Sequence, residues 1–134
     1  LKGRPCNIYP SDLRVYVPSR ESYFYPDASI ICGTLDLSDD IKDTVKNPVI
    51  IFEILSPSTE DYDLGRKFFF YMPIETLKEY VTIDSVRSHI RIGKKQVDGA
   101  WKFEEYFHAD EELMIGSIGL SLSVGDIYEG VAFG

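Results

Sequence analysis

Seven residues, Val49-Ile50-Ile51-Phe52-Glu53-Ile54-Leu55, form an apolar run with a single charge in it, Glu53. A carboxylate confined among apolar side chains costs several kcal/mol unless it is neutralised, paired or bound to a cation. Two readings stay open: a strand glutamate that leans into solvent or pairs with a lysine, or a metal ligand or base. Asp27 follows Pro26 at the mouth of another strand-like stretch. Alone it reads as a turn residue. Beside Glu53 on a neighbouring strand it would complete an oxygen-rich site for Mg²⁺ or Mn²⁺. Lys67 stands four residues after Asp63 and four before Tyr71, so a helix places the three on one face. It either pairs with Asp63 in an ordinary helical ion pair or reaches back to Glu53. There it would orient an attacking water and offset charge on a phosphorane-like transition state.

Other reactive side chains carry less. His89 and His108 have no serine or cysteine in a nucleophile setting, and Ser56 lacks the flanking glycines of a nucleophile elbow. No P-loop and no G-x-G-x-x-G motif occurs. Arg87, Arg91, Lys94 and Lys95 cluster in one hairpin and read as a solvated face before they read as a phosphate contact.

The elements that must hold these groups follow from pattern. Arg4 to Tyr9, Leu13 to Val17 and Asp27 to Cys32 are strand-like, separated by Pro10-Ser11-Asp12 and by Pro18 and Pro26. Thr34 to Asn47 is polar and without period, hence a loop with at most a helical turn. The run from Val49 to Leu55 is apolar on both faces, as expected of a central strand covered on two sides. Ser58 or Thr59 would cap a helix from Glu60 to about Tyr71, with Leu64, Phe68 and Tyr71 as its buried stripe and Met72-Pro73 as its stop. Glu79 to Ile83, Ser88 to Gly93 and Ala100 to Phe107 are strands, the last two joined across Asp98-Gly99 as a hairpin. Ile118 to Leu122 is a final strand, after which Ser123 caps a short helix bearing Val124, Ile127 and Val131.

Composition sets the outer bounds. With 134 residues, 44% apolar and 13% aromatic, the chain can bury a core as one domain over residues 1–134. Its net charge of −8 excludes a basic nucleic-acid coat protein. No run reaches the roughly 20 apolar residues of a membrane helix. Cys6 and Cys32 lack metal-ligand spacing and read as small hydrophobes in a reducing, cytoplasmic compartment rather than as a bridge. The opening Leu-Lys-Gly-Arg reads as the start of a fragment.

Taken in order, Tyr25-Pro26-Asp27, Asn47-Pro48, Phe52-Glu53-Ile54-Leu55-Ser56-Pro57-Ser58-Thr59, Asp63 with Lys67 and Tyr71, Leu77-Lys78-Glu79-Tyr80 and Ile83-Asp84 resemble the Uma-type restriction endonuclease family. That family belongs to the PD-(D/E)XK nuclease superfamily. The resemblance covers nearly the whole chain and implies an α+β, restriction-endonuclease-like core, a central mixed sheet flanked by helices. It also implies that the N-terminal helix segment and a further acidic residue are missing here. Asp27 matches the aspartate of the PD element and Glu53 the second acid. Leu55 stands where the superfamily lysine would be, and Lys67 on the following helix matches a lysine that substitutes for it. The implied activity is Mg²⁺- or Mn²⁺-dependent hydrolysis of DNA phosphodiester bonds by a homodimer, with Asp27 and Glu53 as metal ligands and Lys67 assisting. The alternative is a non-catalytic interaction module on a degenerate nuclease scaffold.

Overall fold

The structure, a computed structural model, describes residues 5–38, 41–57 and 65–130. Its centre is a six-stranded mixed sheet. The strands are β1 (Cys6–Pro10), β4 (Ala28–Cys32), β7 (Ile50–Leu55), β8 (Glu79–Asp84), β9 (Ile90–Lys95) and β10 (Trp101–Tyr106), in that spatial order. Only β7 and β8 run parallel in this sheet. A parallel neighbour requires a crossover, and the stretch between β7 and β8 supplies it with helix α1 (Lys67–Tyr71).

Both faces of the sheet are covered, as the two-sided apolar pattern of β7 requires. On one face Ile51, Tyr71, Leu77 and Tyr80 pack with Val15, Val17 and Val45 from a second sheet. That sheet has four strands in the order β3 (Ser22–Phe24), β2 (Arg14–Val17), β6 (Ile41–Val45) and β5 (Leu37–Ser38). On the other face Ile50, Val81, Ile83, Ile90 and Ile92 pack against Leu113, Ile115 and Val124. These belong to the hairpin β11 (Glu112–Ile115)–β12 (Leu120–Ser123) and to helix α2 (Val124–Gly130). The fold is α+β, a mixed sheet with few helices. Among the described residues no helix is long and apolar enough to cross a membrane.

Several sequence expectations changed. Within Thr34 to Asn47, expected to be a loop, lie β5 and β6. The strand there is set by tertiary pairing, since β6 runs parallel to β2 and sends Val45 into the core. Strands β3 and β11 also went unmarked, being too short to show a period. The cysteines are bridged. Cys6 and Cys32 are directly opposed across β1 and β4 and form a disulfide, so they are not the free, buried thiols expected. Chain separation concealed this, because only the antiparallel register brings the two together.

Other expectations held. The β9–β10 hairpin turns at Asp98-Gly99, where Gly99 adopts a φ of 88° that glycine takes without strain. At the start of α2 the Ser123 hydroxyl accepts the Asp126 N–H at 3.1 Å. The expected start of the crossover helix, its caps Ser58 and Thr59, Asp63 and Leu64 lie outside the described residues, as does Val131.

Candidate active site

Register places the two acids together. Strand β4 pairs antiparallel with β7 through Ala28↔Phe52 and Ser29↔Ile51, so Asp27 stands opposite Glu53 at the mouth of β4. Pro26 holds the residue before it extended and carries the chain from β3 into this position. The link is made by backbone as well as side chain. The Ile54 N–H donates to Asp27 Oδ2 at 2.7 Å, and the Asp27 N–H faces Glu53 Oε1 at 3.4 Å. Asp27 is exposed, whereas Glu53 is 1% exposed.

Helix α1 supplies the partners of Glu53. Lys67 and Tyr71, four residues apart, point from one helix face onto the same carboxylate oxygen. Lys67 Nζ lies 2.8 Å from Glu53 Oε2, and the Tyr71 hydroxyl donates to that oxygen at 3.0 Å. The helix is pinned there because Phe68 wedges among Tyr80, Trp101 and Phe103. Lys67 reaches back to Glu53. Asp63, the other partner considered, lies outside the described residues.

The burial of Glu53 is therefore offset within the chain by an ammonium and a phenol. The sequence argument had left this work to a cation or to a lysine, and the lysine is present. Two carboxylates at one sheet position still offer hard oxygen donors of the kind that Mg²⁺ or Mn²⁺ takes in ones and twos, with water and phosphate oxygens completing the shell. Among the described residues no group of three His, Cys, Asp or Glu side chains converges as a metal cage. The donor set fits a cation shared with substrate and not a closed structural site.

The acid pair begins a row across the sheet. Glu53 is in register with Thr82, and Thr82 with Arg91. Arg91 lays its guanidinium over the Phe103 ring at 4.4 Å, and its buried Nε has no hydrogen-bond partner. Sequence reasoning missed this row. Strand parity marks Thr82 and Arg91 as same-face residues, but only the strand order says that they follow Glu53. The other basic residues singled out are engaged: Lys94 with Glu104 at 3.1 Å, Lys95 with the Ile74 carbonyl at 3.1 Å, Arg87 with Asp84 at 3.5 Å. His89 faces Glu105 at 2.8 Å and stacks on Phe107.

At the same end of the sheet, Asp84 closes β8. Its Oδ1 accepts the N–H groups of Val86 and Arg87 at 2.7 and 2.9 Å. Burial would raise the Asp84 carboxyl, but these two N–H donors and the Arg87 guanidinium outweigh it and hold it below the ordinary aspartate range. Asp84 thus shapes the β8–β9 loop beside the site.

A mixed sheet with a parallel central pair, a helical crossover and an acid pair at one sheet position defines the restriction-endonuclease-like class of nuclease folds. A crystal structure described as a putative nuclease belonging to DUF820, from Anabaena variabilis, shares this fold. It superposes with a TM-score of 0.74 at 16% identity, over 96% of this chain and 70% of that one. The chain belongs to the Uma2 family, described as "Putative restriction endonuclease", whose model matches residues 1–125. Two uncharacterized proteins of Synechocystis sp. are similar along most of it. One is 37% identical over 133 residues, 99% of this chain and 68% of its own length. The other is 34% identical over 113 residues, 84% of this chain and 64% of its own length. This chain thus spans about two thirds of the curated relatives that it matches.

Proposed function

We propose that the chain carries the catalytic site of a divalent-metal-dependent DNA endonuclease, Mg²⁺ or Mn²⁺ being held by Asp27 and Glu53. The observation that carries this reading is the meeting of an exposed and a buried carboxylate at one sheet position, with Lys67 Nζ 2.8 Å from the buried one. When bound, such a cation supplies Lewis acidity toward a phosphoryl oxygen and acidifies a coordinated water. The chain's own residues do the rest. Glu53, fixed by Lys67 and Tyr71, keeps one orientation toward Asp27. Asp27, anchored by the Ile54 N–H, presents its carboxylate at the open mouth of the strand. Lys67 sets positive charge where negative charge grows on phosphate as the water oxygen bonds to phosphorus and one ester P–O bond breaks. The products are a phosphomonoester and a hydroxyl.

The test is cleavage of plasmid and of single-stranded DNA by the intact protein with Mg²⁺ or Mn²⁺. Glu53→Gln and Asp27→Asn should each lose the activity. Equal rates in wild type and Glu53→Gln would sink the assignment.

One observation favours a second reading, a non-catalytic module on a nuclease scaffold: Glu53 already has its charge offset by Lys67. Titration calorimetry separates the two. Absence of binding at millimolar Mn²⁺ by the folded, intact protein selects the module.

A further inference from the structure

The surface that leads to Asp27 is aromatic and cationic. From Ser22 to Asp27 the chain is extended, with Ser22, Phe24 and Pro26 turned inward and Tyr23, Tyr25 and Asp27 outward. Tyr23 is 45% and Tyr25 56% exposed, although rings of this size are ordinarily covered. Tyr25 stands on the short link between β3 and β4, and Tyr23 is set within β3. Tyr23 lies beside Tyr16 with ring centroids 4.7 Å apart, and the Arg14 guanidinium sits 4.3 Å over its ring. Arg14 is itself fixed, its Nε donating to Thr44 Oγ1 at 3.0 Å. Arg20 lies 4.0 Å over the exposed Phe69 ring of α1.

Charge runs the same way. Residues 13–25 and 65–72 hold Arg14, Arg20, Arg66 and Lys67 against Glu21 alone, in a chain of net charge −8. Arg14 and Arg20 thus set positive charge beside exposed rings in an acidic protein. Exposed π faces set among guanidinium groups are the chemistry that takes unpaired bases and their phosphates. A duplex keeps its base faces stacked inside and offers this surface only phosphates.

We propose that this surface binds single-stranded nucleic acid, stacking bases on Tyr23 and Tyr25 and delivering the phosphate beyond them to Asp27. An unpaired strand is thus the substrate class of the site. The delivery rests on the nuclease reading above; the binding does not.

The experiment is fluorescence anisotropy on the intact protein in EDTA, at low salt, so that no cleavage occurs. The probes are oligothymidylate and oligouridylate of about 12 nucleotides, within the usual range of single-strand sites, and a duplex of equal length. Single strands should bind about tenfold or more tightly than the duplex, and the ratio of the two oligomers identifies the preferred sugar. Tyr23→Ala and Tyr25→Ala should each weaken binding by about tenfold. Tyr25→Phe should restore it, and Tyr25→Leu, which keeps apolar bulk without a π face, should not. Because binding is read in EDTA, a single strand that binds but is not cut with Mn²⁺ would leave this inference standing and overturn only the catalytic one. Duplex bound as tightly as single strand, alanine variants that bind like wild type, or no binding of either single strand would each overturn it. Both tyrosines are exposed, so matching thermal midpoints will show that the variants are folded.

Discussion

Glu53 and Glu79 are both buried glutamates, 1% and 3% exposed, on the adjacent parallel strands β7 and β8. They are held in opposite ways. Glu53 meets a lysine and a tyrosine from a helix, and its neighbour across the sheet is a second carboxylate. Glu79 is at the other end of its strand and faces the other core. It accepts the N–H groups of Gly116 and Ser117 at 3.0 and 3.1 Å and the Ser117 hydroxyl as well. A carboxylate cradled by backbone amides is a strut, since those donors cannot leave without unmaking the loop. Glu53 is held instead by side chains of a helix, an ammonium and a phenol. Burial alone does not distinguish the two, and the kind of partner does.

The largest effect that would break this contrast is on cleavage. Glu53→Gln should lower metal-dependent nicking at least about a hundredfold, while Glu79→Gln should stay within about twofold of wild type, in a plasmid assay with Mn²⁺. Losses of equal size would show that both acids act through stability. Next comes Lys67→Met. It leaves a carboxylate buried without its cation and should cost about 3 kcal/mol in urea unfolding at neutral pH. Adding Glu53→Gln should recover most of that loss, because no lone charge then remains.

Glu79→Gln should itself cost about 2 kcal/mol, since an amide puts a donor against the Gly116 or Ser117 N–H. An unchanged midpoint would show that this cradle carries little. Asp84 gives the smallest effect and sharpens the amide-held class. Its carboxyl is held below the ordinary range, so it stabilises the fold at neutral pH. That contribution is lost as pH falls through the folded value, below about pH 4. Asp84→Asn should therefore be less stable than wild type at pH 7, with the gap closing toward pH 2. A gap independent of pH would assign the role of Asp84 to shape and not to charge.

Much of the site was legible one residue at a time. The oddity of Glu53 in its strand, the turn-marked Asp27 and the four-residue spacing of Lys67 and Tyr71 are local facts, and Lys67 and Tyr71 both meet Glu53. What was not legible was the partner of each. The Thr34–Asn47 stretch looked like loop because β6 is fixed by its pairing with the distant β2 and needs no apolar period of its own. Cys6 and Cys32, 26 residues apart, carried no signal of their bridge. Nothing local announced the cradle of Glu79, for the amides that form it are 37 and 38 residues away.

The sequence by itself determined the apolar central strand, the acid within it, the hairpin at Asp98-Gly99 and the serine cap of the last helix. Each of these follows from side-chain chemistry and backbone preference over a few residues. Only the tertiary structure decided that Asp27 faces Glu53, that Thr82 and Arg91 extend their row and that the cysteines pair. Strand order and register fix those contacts. Both come from packing two cores against one sheet, a property of the whole chain that no short window contains.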